Sequence, residues 1–334
     1  MIKTYTYIFA LMFFVFTSAK AQDPQFSQFY VSSSYLNPAF AGETKGGKIV
    51  LQDRLQWPSI PGAYKSFNCA YDQNLRRING GLGFIVTHSQ AGPGGYQFTN
   101  FSALYSHSIR LNESWYARAG FQIGESIRDI NVNQLTFSSQ LYNGGNIPNE
   151  VLQNYEKKYF LDLSSGVLIY SKKAWFGFAA HHLNKPNESL LKDQSPLPIK
   201  YSLHGGLRYT LEKVKKEERD LVFAFNYKTQ ALFDQLDLGV YYDRKPIMFG
   251  LWYRGIPVFK SYQLGYTNND ALIIMLGYST KGFRVGYSYD LTISKLYGNT
   301  LGAHELSLVF EFVNYAKNTD SGKKRLKNIP CPSF

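Results

Sequence analysis

The side chains best suited to acid–base or metal chemistry near neutral pH are the six histidines, His88, His107, His181, His182, His204 and His304. None belongs to an HExxH helix motif. No CxxC occurs: the two cysteines, Cys69 and Cys331, are far apart and read as free thiols. The common zinc spacings are therefore absent. Gly80-Gly81-Leu82-Gly83 would need a following helix to cradle a phosphate, and the pattern beyond it is that of a strand, so it reads as a turn. His181-His182, near the outer end of a strand, is the one pair a barrel-borne hydrolase would use, and a polar rim pair is the simpler reading. No catalytic, cofactor-binding or metal residue is assigned, and no enzymatic activity is expected.

Charged residues recur on one face of alternating segments. Arg54, Arg118, Asp162, Arg208, Asp237, Arg284, Asp290 and Glu311 all fall on the polar side and are expected to pair across an interior. Asp53 falls on the apolar side of its segment, which predicts a bulge or a register change there.

The elements that position these residues are strands. In 281–290, Phe283, Val285, Tyr287 and Tyr289 alternate with Arg284, Gly286, Ser288 and Asp290. The same period recurs in about fourteen segments: 48–57, 64–73, 81–91, 95–110, 114–126, 158–171, 173–183, 199–212, 219–229, 235–243, 246–254, 270–279, 281–290 and 302–313. Connections alternate between short turns such as 171–173 and long loops such as 127–157 and 184–198. That parity is expected of an all-β, antiparallel transmembrane β-barrel with short periplasmic turns, long extracellular loops and both termini periplasmic. Tyr 26, Phe 25 and Gly 28 with only 18% charged residues fit outer-membrane strands better than a soluble helical protein. Residues 304–312 end on an aromatic, Phe312, after alternating apolar positions, like a terminal strand signal for outer-membrane insertion.

The ends of the chain read separately. Residues 1–21 form a signal peptide, with Lys3, an apolar run over 8–16 and Ala19-Lys20-Ala21 as the cleavage site. Beyond it no run is long and apolar enough for a transmembrane helix. Segment 22–46 is a periplasmic lead-in or a plug-like piece, 47–313 the barrel, and 314–334 a basic periplasmic tail. The formal net charge is +12. That basic excess fits lipopolysaccharide phosphates or acidic partners, while scattered charge on an exported chain argues against nucleic acid.

Particular motifs carry a family resemblance. Gln22-Asp23-Pro24-Gln25-Phe26-Ser27-Gln28-Phe29-Tyr30 precedes Tyr35-Leu36-Asn37-Pro38-Ala39-Phe40-Ala41-Gly42. Further on stand Arg54-Leu55-Gln56-Trp57-Pro58, Gly250-Leu251-Trp252-Tyr253-Arg254-Gly255, Gly286-Tyr287-Ser288-Tyr289-Asp290, His304-Glu305-Leu306-Ser307 and a final Pro330-Cys331-Pro332-Ser333-Phe334. Together they resemble the PorP/SprF family of type IX secretion membrane proteins; Leu55 departs from the family's usual Asn. The resemblance implies an outer-membrane component of type IX secretion and gliding machinery. It would bind, help export or anchor a large surface cargo protein, an adhesin, through that cargo's C-terminal targeting domain. Expected partners are that cargo, periplasmic secretion or motor components and outer-membrane lipid, with no cofactor. Candidate partner-contact residues are Asp23, Pro24, Phe26, Ser27, Gln28, Asn37, Pro38, Arg54, Trp57, Asp290, Lys323, Lys324, Arg325, Pro330, Cys331 and Pro332. The alternative reading is a passive channel or hydrophobic-solute transporter, with 22–46 as its plug.

Overall fold

The computed structural model describes residues 23–137, 140, 142, 155–214, 217–256, 261–263, 266–295, 297–312 and 329–330. Barrel strands are β1 (Gly47–Gln56), β2 (Tyr64–Leu75), β3 (Gly80–Ala91), β4 (Tyr96–Arg110), β5 (Tyr116–Asp129), β6 (Lys158–Tyr170) and β7 (Ala174–His181). They continue as β8 (Lys200–Val214), β9 (Glu217–Gln230), β10 (Phe233–Arg244), β11 (Ile247–Gly255), β14 (Asn269–Thr280), β15 (Phe283–Thr292) and β16 (Ala303–Phe312). The small β12 (Ser261–Gln263) and β13 (Tyr266–Thr267) form a separate two-stranded ladder between β11 and β14. Each barrel strand pairs antiparallel with its neighbours in sequence, and β1 closes onto β16 from Gly47↔Phe312 to Gln56↔Ala303. Closure gives each barrel strand a neighbour on both sides and removes the exposed edges that hydrocarbon does not tolerate. The alternation read from the sequence places all fourteen barrel strands within three residues at each end.

Outward positions form a continuous apolar surface. Phe84, Phe101, Phe121, Val167, Phe223 and Leu276 are all exposed. Exposed Tyr64, Tyr159 and Tyr201 lie toward the long-loop end, and Trp115, Tyr209, Tyr242 and Tyr278 toward the short-turn end. Two aromatic girdles around an apolar band are the surface a bilayer requires of a barrel.

Three local expectations are corrected, and the position of Asp23 bears on the chain before β1. Asp53 points outward from an unbroken β1, in register with Leu306 and Phe67, so there is no bulge. Gly80, Gly81 and Gly83 lie inside β3, and the turn is the 3-10 segment Arg76–Ile78 before them. The connection 182–199 is not a free excursion: Leu197 is fully buried with Phe98 and Phe160, and Glu188 meets Arg128 at 2.7 Å. Asp23 lies beside the first residue of β8 at the long-loop end, whereas Phe312 ends β16 at the short-turn end. Asp23 and Phe312 therefore lie at opposite ends of the barrel. Strand periodicity located β1 and β16 but carried no information about the path of the chain before β1.

That path runs through the lumen. Eight strands make a barrel whose wall side chains fill its interior; fourteen leave space that water or additional chain must occupy. Here Phe29, Tyr30, Leu36, Ala39, Phe40 and Ala41 are buried against inward Leu104, Leu168, Trp175, Tyr241, Trp252 and Met275. Phe29 packs edge-on against Trp252 with ring centroids 4.9 Å apart, and Tyr30 against Trp175 at 5.6 Å. Burying six such side chains is the largest favourable contribution available to an otherwise short, irregular segment.

Two wall glycines permit the close approach. A Cβ on Gly120 would meet Ala39 N at 2.2 Å, and one on Gly166 would meet Asn37 Oδ1 at 2.1 Å. The segment is shaped locally by one helical turn, Ser33–Leu36, and by the 3-10 turn Pro38–Phe40. Asn37 caps the latter, its side chain accepting from Ala39 N at 2.9 Å, with Pro38 in the first position where no amide donor is missed.

Candidate functional site

The luminal segment is held by polar contacts spaced along its length. Ser27 and Gln28 meet the wall where β1, β11, β15 and β16 project charged side chains inward. Arg54 binds Asp290 at 2.8 Å and Glu305 at 3.1 Å. Arg254 binds Asp237 at 2.7 Å and the same Asp290 oxygen at 3.0 Å. Ser27 Oγ lies between the guanidiniums, accepting from Arg54 at 2.8 Å and Arg254 at 2.9 Å while donating to Asp290 at 2.6 Å. The backbone amides of Ser27 and Gln28 donate to the two Glu305 oxygens at 2.7 and 3.0 Å. Gln28 is fixed on both ends of its amide, by Ser288 at 3.1 Å and Ser307 at 2.6 Å. Two buried cations and three buried carboxylates are thus linked through one network centred on the Ser27 hydroxyl. Such a network is tolerable in a dry interior only when its members are hydrogen-bonded.

A second anchor lies at the long-loop end. Asp23 contacts His182 Nε2 at 2.8 Å and also Lys200, and His182 Nδ1 faces Asp162 at 3.0 Å. Burial works against ionised Asp23, but His182 and Lys200 outweigh it and hold the carboxyl well below its usual range. Burial likewise opposes a charged His182, yet Asp23 and Asp162 raise its imidazole to about 9. His181 contacts Ser164 at 3.2 Å and the Leu36 carbonyl at 3.3 Å. The two histidines are therefore buried anchors of the luminal segment, not an exposed rim pair.

Asn37 is the third fixed point. Its amide donates to the carbonyls of Val167 at 3.1 Å and Phe178 at 3.2 Å, and lies 3.1 Å from His204 Nε2. Near β1, Arg118 and Ser106 donate to the Ala41 carbonyl at 2.5 and 2.7 Å, and Gly42 N donates to Asp72 at 2.9 Å.

Of the residues singled out in the sequence, Ser27, Gln28, Arg54 and Asp290 therefore converge, with Asp23 and Asn37 in separate anchors. Pro24 accepts from the Tyr35 hydroxyl at 2.8 Å, and Phe26 packs edge-on against that ring at 5.4 Å. Trp57 belongs to none of these anchors and packs on Tyr64 at 5.5 Å. The Pro330 carbonyl accepts from Arg208 at 3.2 Å. Lys323, Lys324, Arg325, Cys331 and Pro332 lie outside the described residues, as do residues 1–21, expected to form a signal peptide, and most of the tail. The expected pairing of inward charges holds for Arg54 with Asp290 and for Arg284 with Glu311, the latter at 2.6 Å. Arg208 instead takes Asp220 at 2.9 Å, and Arg118 takes a backbone carbonyl. Glu305 and Arg254 were not singled out, although both stand in the motif fragments around residues 250–255 and 304–307 and on the polar face of their strands.

Toward the long-loop end the lumen keeps a cleft of about 290 Å³, lined among others by Asp23, Phe26, Tyr35, Trp57, Lys228 and Phe233. Below it the space is filled by the segment itself. No group of three or more potential metal ligands occurs among the described residues.

A closed up-and-down barrel with an apolar exterior, two aromatic girdles and its own N-terminal segment seated in the lumen is an outer-membrane β-barrel. The chain belongs to the family of type IX secretion system membrane proteins PorP/SprF, whose model matches residues 18–310. No curated protein matches the sequence. Among solved structures it is similar to the TodX monoaromatic hydrocarbon channel deltaS2 mutant (TM-score 0.44, 10% identity, 83% of this chain and 91% of that one). It is also similar to the CymD monoaromatic hydrocarbon channel (0.44, 12%, 84% and 90%). A third is the KdgM porin in complex with disordered oligogalacturonate (0.39, 10%, 79% and 99%).

Proposed function

We propose that this barrel is a docking component of the type IX machinery. It binds, helps export or anchors a large surface cargo protein through that cargo's C-terminal targeting domain, and it catalyses no reaction. In this reading the long loops face the exterior and the short turns and the C-terminal tail face the periplasm, where secretion or motor components are met. Candidate contacts for those partners are the long-loop end for cargo and the basic tail residues Lys323, Lys324 and Arg325, with Pro330, Cys331 and Pro332, for the machinery.

The observation that carries the reading is the filled lumen. Ser27, Gln28 and Asn37 are buried and hydrogen-bonded to the wall, and Phe29 and Phe40 pack in its apolar layer. A passive pore needs a continuous water path, and a hydrophobic-solute transporter needs an apolar one. Both would have to displace this segment from every anchor at once, which disfavours the transporter reading. A barrel whose lumen is occupied by its own N-terminal segment is suited instead to holding other proteins on its ends.

Deleting the gene should remove one large adhesin from the cell surface while other type IX cargo is still exported, and that adhesin should co-purify with the full-length barrel. Normal surface display of every type IX cargo in the deletion strain would refute the docking role.

A further inference from the structure

The topology separates the chain's charge in a way the sequence order conceals. The connections at the short-turn end include 76–79, 111–115, 171–173, 245–246 and 281–282. They carry Arg76, Arg77, Lys172, Lys173, Lys245 and Lys281 against Glu113 alone, a net +5. The seven connections at the opposite end are nearly balanced. Lys157, Lys185, Lys192, Lys260 and Lys295 stand against Glu150, Glu156, Glu188 and Asp193, a net +1. The basic excess of the connections therefore lies at the short-turn end of the barrel.

These cations stand at a particular depth. Arg77, Lys172, Lys173, Lys245 and Lys281 are exposed; Lys245 and Lys281 lie just beyond strand ends that carry the outward Tyr242 and Tyr278, and the Lys173 carbonyl accepts from the Arg208 amide beside outward Tyr209. Aromatic side chains of this kind mark the interfacial region of a bilayer. Turns of two to five residues cannot carry a side chain far past it, so their ammonium and guanidinium groups lie at the level of lipid phosphates.

One part of this ring is a shaped recess. Between the turns 245–246 and 281–282 lies a cavity of about 410 Å³, lined among others by Lys245, Ser279, Thr280, Lys281, Arg284 and Glu311. The Ser279 amide donates to the Pro246 carbonyl at 2.7 Å, and the Glu311 amide to the Gly282 carbonyl at 2.8 Å, so the two turns are tied to the strands beside them. Glu311 is already engaged by Arg284 at 2.6 Å. Neither Lys245 nor Lys281 has a carboxylate within ion-pair distance among the described residues. Two exposed ammonium groups outside ion-pair distance of any described carboxylate, though Asp243 acts electrostatically on Lys245, share the recess with two hydroxyls and match a phosphodiester, which offers one negative charge and several acceptor oxygens.

We propose that the short-turn end binds anionic glycerophospholipid of the adjoining leaflet, with a headgroup seat between the 245–246 and 281–282 turns. Phosphate at Lys245 and Lys281 and hydrogen bonds to Ser279 and Thr280 define the seat, and the remaining basic turns hold an anionic annulus. An acidic protein surface is the competing occupant. It is disfavoured because the cations are distributed around the circumference at interfacial depth rather than gathered on one projecting face. The proposal is independent of which cargo the barrel serves.

Native mass spectrometry of the full-length barrel released from detergent tests this. Phosphatidylglycerol should remain bound in preference to phosphatidylethanolamine. Lys245→Gln/Lys281→Gln should weaken retention of phosphatidylglycerol roughly tenfold, as loss of two interfacial charges predicts. Lys245→Arg/Lys281→Arg should retain it, and Lys185→Gln/Lys192→Gln at the long-loop end should leave it unchanged. Equal retention of both lipids, or a double glutamine variant that binds phosphatidylglycerol as the parent does, would overturn the proposal. So would polyglutamate binding that depends on the same two lysines and displaces the lipid.

Discussion

Ser27 donates its hydroxyl to Asp290 across 2.6 Å, joining a residue near the start of the luminal segment to one near the end of the barrel wall. The same Asp290 oxygen accepts from Arg54 and Arg254. Replacing Asp290 with Ala would leave two buried guanidiniums short of a partner, at a cost of about 3–5 kcal/mol. Ser27→Ala removes only the neutral node and should cost about 1–3 kcal/mol. Denaturant unfolding of the detergent-refolded barrel should give this order, and equal losses would argue against Asp290 as the hub.

Gly120 tests whether the segment is seated or merely nearby. A Val there would push its side chain into the Ala39 backbone, while its outward neighbours Ala119 and Phe121 would be untouched. The barrel should still form, but protease should then remove residues 23–46 from Gly120→Val and spare them in the parent. Full protection in the variant would mean that the close contact with Ala39 is not required.

The Asp23–His182 pair gives the N-terminal anchor a pH window. His182, raised from 6.5 to about 9, contributes fully below pH 6.5 and loses its contribution as pH rises through about 9. Asp23, lowered from 3.8, contributes above that value and loses its contribution as pH falls through its depressed pKa. Hydrogen exchange at residues 23–30 should therefore be slowest between about pH 4 and 6.5 after correction for intrinsic rates, and accelerate toward pH 10. His182→Gln should abolish the alkaline step, and an unchanged step would place the titrating group elsewhere.

Phe223, half-exposed near the middle of β9, tests the lipid-facing surface. Phe223→Arg should destabilise the bilayer-reconstituted barrel by about 2–4 kcal/mol. A neutral effect would be inconsistent with a position in the hydrocarbon layer.

The wall was legible in the sequence because a strand's two-residue period is local: Phe283, Val285 and Tyr287 declare their face without reference to any other strand. The inward charges were legible for the same reason. What joins them was not. Arg54 and Asp290 are 236 residues apart and meet only because β1 closes onto β16 and β15 lies next in the sheet. Gly120 of β5 and Gly166 of β6 accommodate Ala39 and Asn37, a contact that no local pattern around either glycine announces. Asp53 misled for a related reason. Near the long-loop end of β1 an outward carboxylate needs no bulge, and periodicity alone cannot report depth.

The barrel's own N-terminal segment fills the lumen, and the proposed docking role predicts that the intact protein does not conduct solutes. Planar-bilayer recording of the purified full-length protein tests it most directly. The intact chain should show no sustained ohmic conductance, and Gly120→Val treated with protease to remove 23–46 should open a stable pore. A steady open conductance from the intact protein, unaltered by loss of the segment, would contradict the claim.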